Sequence, residues 1–541
     1  MTNKEIARAF RLLGKLMEMQ GENPFKIRSY ESAAGLLSKL GTPLAEMPEE
    51  EIRSLKGVGS AISGKIQELL TNGKMKTLER YKEQVPEGIQ EMLQIKGLGA
   101  KKVKTAWDEL GVENATELLY ACNENRLIEL KGFGEKTQEE IKKQLNFFLN
   151  NRSNVLYANI EDRAIDLLNK LRASNSALRW EMTGALRRKD PVLERLEYLM
   201  EFCQGWPEIQ FEGLEVQGTT EDCWKGFLGE RTEVLIHKAE ENAFENSWLR
   251  TTGPERIINL VADVRFDNEE AAFAHLKLPF IPPECRNDLI GETTFPSDII
   301  SERDIKGVIH THSTFSDGIN TVEEMMLFSR ERGYEYLAVT DHSQIAVYAD
   351  GMDEAKVLAQ WKEIDELNGV NPDFRIIKGI ECDILNDGSL DYDDLLRSQF
   401  ELVIASIHTN IKMDKEKATD RLVRAIEHPH TNMIGHPTGR LLLGRDGYPI
   451  DIEKVLDACA ANQVAIEINA SPYRLDLDWR YIHRAVEKGI MLSINPDAHA
   501  REAIDQIRFG AIIARKGWLP LSNCLNAQPV AEFLRFCEKA E

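Results

Sequence analysis

The sequence contains no Cys-x-x-Cys pair, no apolar run of about 18 residues or more and no apolar leader. Its eight cysteines (122, 203, 223, 285, 382, 459, 524 and 537) are scattered. That spacing argues against a disulfide framework and a structural zinc knuckle, and predicts a reducing cytoplasm. The opening Met-Thr-Asn-Lys-Glu-Ile predicts no secretion signal, and the absence of a long apolar run predicts no membrane span. Basic residues are in deficit: 67 Lys and Arg stand against 89 Asp and Glu, a net charge of -22. A uniformly acidic surface would repel nucleic acid. Residues 1–150, however, carry 23 basic and 22 acidic side chains, so the acidity lies further on. Local clusters must decide DNA binding. At 541 residues the chain is too long for one core and predicts three or four domains.

The richest stretch runs from about residue 305 to 500. Nine of the eleven histidines lie there, six of them near the end of an apolar, β-prone run. The runs end at His310 and His312, at Asp341-His342, at Glu381, at His408, at His436 and at Asp497-Ala-His499. Seven strands are expected at about 306–311, 336–341, 374–380, 401–407, 432–435, 463–468 and 490–495. Helical stretches such as Thr321 to Arg332 and Asp353 to Asn368 separate them. This alternation predicts βα units closing into a barrel with its chemistry at the strand carboxyl ends. His310 and His312 alternate, so both face one side of the sheet. Imidazole and carboxylate donors favour zinc, manganese or iron.

The first 150 residues read as helical. Ile6, Phe10, Leu13, Leu16 and Met17 form a stripe, and Asn23-Pro24 interrupts it. Then Leu55-Lys-Gly57-Val-Gly59 recurs as Ile95-Lys-Gly97-Leu-Gly99 and as Leu130-Lys-Gly132-Phe-Gly134, each ahead of a helix. Glycines permit a tight turn and a close backbone approach. The following helix aims its amides at whatever lies above the turn, a position that suits phosphate. The copies resemble helix-hairpin-helix motifs, which bind the DNA backbone without reading sequence. Gly57, Gly59, Lys65, Gly97, Gly99, Lys101, Lys102, Gly132, Gly134 and Lys136 are the candidate contacts.

This order resembles the amino end of a family X DNA polymerase. The resemblance places that family's lyase lysine on Lys65; contact with phosphate or solvent is the other reading of this residue. Met182-Thr-Gly184-Ala-Leu-Arg187-Arg188 resembles the family's Gly-Ser-x-Arg-Arg turn, with Ala185 in place of serine. The family's two metal-holding aspartates fall on Arg195 and Glu197, and a third carboxylate on Asp263. Arginine repels a cation, and one carboxylate cannot support two-metal transfer. Pro279 to Pro283 follows too soon for a thumb domain. The expectation is a relic palm that does not polymerise.

The last 235 or so residues closely resemble the PHP (polymerase and histidinol phosphatase) family. The resemblance implies three divalent ions. His310, His312, Glu381 and Asp497 would hold the first; Glu381, His408 and His436 the second; Asp317, His342 and His499 the third. Asp341 and Arg440 are the candidate catalytic residues beside them. Asp341 would orient a ligand or merely cap; Arg440 would clamp a phosphate oxygen or form a rim ion pair. His237, His275, His428, His430 and His483 lack such placement.

The fold expected is therefore multidomain: an all-α helix-hairpin-helix region, an α/β relic palm and a distorted (β/α)7 barrel of PHP type. Boundaries fall at 1–85, 86–152, 153–285, a linker 286–304, and 305–541. The function expected is a metal-dependent phosphoesterase acting on DNA, implied by the resemblance to be a 3′–5′ exonuclease, with abasic-site endonuclease or 3′-phosphatase action as further options, in DNA repair. The alternatives are a gap-filling polymerase with an attached exonuclease, a histidinol-phosphate-like phosphatase and a non-catalytic scaffold.

Overall fold

The computed structural model describes residues 1–541 except 41, 56, 96, 129, 151–153, 175–177, 230–231, 262–263 and 539–541. Asp263 therefore lies outside the described residues. The chain forms two compact units, Met1–Phe148 and Leu149–Glu541.

The first unit is helical. Thr2 and Glu5 close a capping box at the start of Asn3–Met19, and Asn23 caps Pro24–Leu37 with Pro24 at its first position. Ile6, Phe10, Leu13, Leu16 and Met17 are all fully buried, each worth about 1.5–3 kcal/mol of apolar transfer. The three repeats share one backbone conformation: Gly57, Gly97 and Gly132 have φ of +92°, +87° and +91°. A β-carbon is disfavoured there, which is why the first glycine of each copy is needed. Helices Ser60–Asn72, Ala100–Leu110 and Glu135–Asn150 follow directly.

The second unit begins with a mixed α/β region. Strands β1 (Val155–Leu156) and β3 (Val192–Leu193) pair antiparallel. Five others, β2 (Trp180–Met182), β4 (Arg195–Met200), β5 (Leu214–Thr219), β6 (Cys223–Leu228) and β7 (Thr232–Lys238), form a sheet of order β2-β4-β7-β6-β5. Only the central β4–β7 pair is parallel. Leu196, Tyr198, Val234 and Ile236 alternate into the core, so Arg195 and Glu197 take the opposite face. The sheet ends at Lys238. The stretch from there to 285, expected as palm, holds helices Phe244–Thr252, Glu255–Leu260 and Glu269–His275 around Leu249, Ile257, Phe273 and Ile281, with Trp518 of the barrel domain completing the cluster.

The barrel is the expected one. Strands β8 (Gly307–Thr311), β9 (Tyr336–Val339), β10 (Arg375–Asp383), β11 (Leu402–Ser406), β12 (Met433–Ile434), β13 (Ala465–Asn469) and β14 (Leu492–Asn495) lie in sequential order, and every pairing is parallel. They are buried on both faces, as parallel strands covered by helices must be. Between the edge strands β8 and β14, His312 donates its N–H to the Ala498 carbonyl at 2.9 Å, and Ala498 donates to the His310 carbonyl at 3.2 Å. At the other end the buried Asn526 amide donates to Gly307 and Ile494 carbonyls (3.1 and 2.7 Å) and accepts from the Ile494 N–H (3.0 Å). One side chain thus supplies the ladder bonds that the two edges do not give each other. Among the described residues no helix is long and apolar enough to cross a membrane.

Candidate metal centre

Every ligand position expected from the sequence lies at the carboxyl end of a barrel strand or just beyond it. His310 ends an apolar run in β8, where the register shifts between Val308 and Thr311. His310, His436 and Asp497 have φ of +63°, +25° and +52°. Such conformations are costly for residues with a β-carbon and mark places where the surroundings fix the side-chain direction.

The nine side chains converge. Donor atoms of His312, Asp317, His342 and His499 lie within 4.8 Å of one another, as do those of His310, His312 and Asp497, and those of Glu381, His408 and His436. Glu381 stands at the middle: one oxygen is 3.2 Å from His310 Nε2, 3.2 Å from His408 Nε2 and 3.1 Å from His436 Nε2, and the other is 3.0 Å from His342 Nδ1. Asp497 Oδ1 lies 3.5 Å from His310 Nε2 and 3.3 Å from His312 Nε2. Asp317 Oδ2 lies 3.5 Å from His342 Nε2 and 3.4 Å from His499 Nε2.

Nε2 of His310, both ring nitrogens of His312 and of His342, and Oε2 of Glu381 are buried yet make no hydrogen bond. Buried polar atoms are almost always partnered. A set of imidazoles and carboxylates aimed at shared points and left unbonded fits divalent cations. The electrostatics agree. Burial alone would raise the carboxyls of Asp317 and Glu381, but the surrounding histidines hold both well below the usual carboxylate range. Burial likewise opposes protonation of His408, yet Glu381 and Asp383 push it up to about 9. Burial and the neighbouring His499 and His342 instead push the His312 ring down, and cations bound here would displace the protons of the rings that hold them.

Five residues at the centre, Glu467, Asn469, Asn495, Asp383 and Tyr348, were given no role from the sequence. Glu467 on β13 places Oε1 2.5 Å from His310 Nδ1, while its other oxygen accepts the His436 N–H at 2.6 Å. Asn495 and Asn469 donate to Glu467, and Asn469 also donates to Asp497 at 3.0 Å. Asp383 lies 3.2 Å from His408 Nδ1 and shares a possible cation position with His342 and His408. Tyr348 sets its ring edge-on to His342 and His408, with centroids 6.0 and 6.2 Å away. The signal for Glu467 and Asn469 was present: two polar residues at a spacing of two inside an otherwise apolar strand.

Two expectations need correction. The Asp341 carboxylate is not directed at a ligand ring, which fits the capping alternative. It accepts from the Ser313 N–H (2.8 Å), the Ser313 and Ser316 hydroxyls and the Gln360 amide (2.6 Å). It therefore ties the loop between His312 and Asp317 to Gln360, on the helix Glu354–Val370. Arg440 is not a free phosphate clamp either. Its guanidinium donates to the Arg474 and Leu475 carbonyls and to Asp478, the second of the two readings. The buried Arg474 is nearer, with Nε 3.9 Å from Asp497 Oδ2. The five histidines set aside lie elsewhere: His237 near Glu197, His275 on Phe266, His428 and His430 side by side, and His483 near Glu487.

In the five-stranded sheet, Glu197 turns into the Gly184 turn. A β-carbon at Gly184 (φ +61°) would sit 2.0 Å from Glu197 Oε2, and Ala185 donates its N–H to that oxygen at 3.4 Å. Arg187 forms a bidentate pair with Glu269 (2.7 and 2.8 Å), and Arg286 forms another from the other side (2.9 and 2.8 Å). Arg188 pairs with Asp190 at 2.6 Å. Both arginines of the motif are thus engaged internally.

Among the hairpin residues, Gly57, Gly59, Gly97, Gly99, Gly132 and Gly134 are exposed, as are Lys101 and Lys136; Lys102 is half-buried. Lys65 is half-buried, with Nζ 5.9 Å from the centre of the Tyr30 ring.

Family models match in three places: a helix-hairpin-helix domain over residues 1–75, a SAM-like helix-hairpin-helix tandem over 89–146 and a PHP domain over 309–471. A Bacillus subtilis (strain 168) protein, "DNA polymerase/3′-5′ exonuclease PolX", is 34% identical over 574 residues, covering 100% of both chains. Shorter relatives match about two fifths of the chain. A probable phosphatase of Shewanella halifaxensis (strain HAW-EB4) is 29% identical over 234 residues, 41% of this chain and 88% of its own. A probable phosphatase of Thermoanaerobacter sp. (strain X514) is 31% identical over 205 residues, 35% of this chain and 77% of its own. Helix-hairpin-helix segments followed by a PHP barrel, with that full-length likeness, place the chain in the PolX family.

Proposed function

We propose that this protein is a metal-dependent phosphoesterase that shortens DNA strands from their 3′ ends in DNA repair, and that its palm does not polymerise. The observation that carries the reading is the convergence of nine buried donors at one end of the barrel. His310, His312, Glu381 and Asp497 would hold one cation, Glu381, His408 and His436 a second, and Asp317, His342 and His499 a third. Such cations, zinc, manganese or iron, supply a nucleophilic water near neutral pH and neutralise phosphate charge. The protein's own part is placement. Glu467 fixes the His310 ring through Nδ1, Asp383 does the same for His408, and Asp341 holds the loop that carries Asp317. Six exposed hairpin glycines and the neighbouring Lys101, Lys102 and Lys136 supply backbone amides and charge for sequence-independent phosphate contacts.

The likeness to a protein named both polymerase and exonuclease favours a second reading, a gap-filling polymerase. The palm counts against it. Arg195 occupies an expected cation-ligand position, Glu197 fills the Gly184 turn, and Arg187 is committed to Glu269. A third reading, a phosphatase of small metabolites, gains support from the shorter relatives but leaves the hairpins unused.

The test compares strands labelled at the 5′ end with strands labelled at the 3′ end, and strands bearing a 3′ phosphate, in the presence of manganese. Stepwise ladders from the 5′ label, with the 3′ label released at once as mononucleotide, support the exonuclease. Release of inorganic phosphate alone would reassign the barrel as a 3′-phosphatase.

A further inference from the structure

The barrel face on which the nine donors converge has a second recess. The loops that follow β12 and β13 enclose a cavity of about 570 Å³. Thr438 and Arg440, on the loop that starts at His436, form one wall, and Asp478, Arg480, Tyr481 and Arg484 form another. Thr438 follows His436 by two residues, so their backbones lie within about 8 Å. The segment between β13 and Arg480 borders both places. Its Arg474 reaches to 3.9 Å from Asp497, while its Asp478 receives the Arg440 guanidinium.

The cavity has more cations than anions. Arg480 and Arg484 stand four residues apart in the helix Trp479–Glu487, so they share one helix face. Their side chains are 68% and 55% exposed. Among the described residues Asp478 is the one acid that lines the cavity, and two guanidinium groups share it. Arg480 donates to both its oxygens (2.8 and 2.7 Å), and Arg440 donates to it as well. Arg484 pairs with Glu453 at 2.9 Å, a carboxylate that Lys488 also approaches at 3.4 Å. This local surplus stands out in a chain of net charge -22. The Thr438 hydroxyl is buried and makes no hydrogen bond. Tyr481 and Ile450 are half-buried, so ring and methyl surface faces the opening. Exposed guanidinium groups beside an accessible ring suit a single nucleic-acid strand, whose phosphates take the cations and whose bases take the ring.

We infer that this cavity holds the strand just upstream of the bond being cut. Arg480 and Arg484 bind the backbone phosphates that precede the scissile one, and Tyr481 supports a base. Arg440 stays on Asp478 and braces the wall. The inference rests on the reading of the barrel as a 3′ exonuclease and adds what positions its substrate.

Steady-state hydrolysis by the full chain with manganese tests it, on hexathymidylate and on thymidine 5′-(p-nitrophenyl phosphate), an ester with no strand attached. Arg480→Gln and Arg484→Gln should each raise KM for the hexamer roughly tenfold with little change in kcat, the usual loss for one charged hydrogen bond. The ratio of kcat/KM for the hexamer to that for the ester should fall by the same factor. Each variant should also flatten the slope of log kcat/KM against log salt by about 0.7, the share of one single-strand phosphate contact. Tyr481→Ala should raise KM for the hexamer, and Tyr481→Phe should restore it. Arg535→Gln removes a charge from Val530–Cys537, the helix at the amino ends of the strands, and should leave the ratio unchanged. An unchanged ratio in both arginine variants, or an equal fall in Arg535→Gln, would overturn the inference and leave the exonuclease standing. Hydrolysis of the ester with none of the hexamer would instead sink the exonuclease reading, and the inference with it.

Discussion

Glu467 Oε1 lies 2.5 Å from His310 Nδ1 at the floor of the barrel. The contact leaves Nε2 of the same ring facing Glu381 and Asp497. A carboxylate on the far nitrogen fixes the ring orientation and makes the near nitrogen a better donor. Glu467→Gln should therefore lower metal affinity and hydrolysis by roughly 10–100-fold while the fold persists. Metal content after dialysis and circular dichroism check both parts. Unchanged metal retention would remove Glu467 from the account.

Asp341 is expected to act through position. In Asp341→Ala, Ser313, Ser316 and Gln360 lose their shared acceptor. Leaving buried donors unsatisfied costs about 1–3 kcal/mol each. The loop should loosen, and the cation held by Asp317, His342 and His499 should be lost first. A titration that shows one equivalent of metal lost while the others remain checks this.

Glu269 is clamped between Arg187 and Arg286. Burial opposes ionisation, but the two guanidinium groups hold its carboxyl down at about 2, against 4.5 for the free group. The folded pKa is the lower one, so the contribution to stability is present above about 4.5 and is lost as pH falls towards 2. The shift corresponds to about 3 kcal/mol. Glu269→Gln should destabilise the second unit by about that amount at pH 7, and the difference from wild type should shrink below pH 4.5. Urea unfolding at pH 7 and at pH 3 measures both.

The hairpins predict a salt signature. Each phosphate contact contributes about 0.9 to the slope of log affinity against log salt. Lys101→Gln combined with Lys102→Gln should weaken binding to all DNA sequences alike and reduce the slope by about 2. Gly97→Ala should weaken binding with no charge change, because the left-handed backbone at φ +87° strains any β-carbon by about 1–2 kcal/mol.

The palm predicts an absence. On the proposed reading of Arg195 and Glu197, wild-type protein should not extend a primed template with magnesium or manganese. Template-directed extension by one or more nucleotides would refute the relic reading.

Much of this was legible in the chain. All seven barrel strands fall where apolar runs end in polar residues, because parallel strands are buried on both faces and cannot disguise themselves as surface. The nine proposed ligand positions came from the resemblance to the PHP family, and the structure brings their side chains together at the strand ends. What spacing cannot give is direction. Arg440 stands four residues past His436, close enough to suggest a clamp, yet the turn carries its guanidinium to Asp478. Asp341 precedes a ligand in sequence but points to the neighbouring loop. Glu467 was missed because one acid in an apolar strand does not reveal which ring it meets across the barrel. Asn526 was missed because its partners, Gly307 and Ile494, are distant in sequence.

The central claim is that these nine donors hold the ions that cut DNA from its 3′ end. The most direct measurement is the manganese-dependent shortening of a 5′-labelled strand by wild type and by His310→Ala, with metal content measured in both. The account predicts a stepwise ladder from wild type, none from the variant, and less bound metal in the variant at an unchanged fold. An equal ladder from His310→Ala would contradict it and place the nuclease outside the barrel.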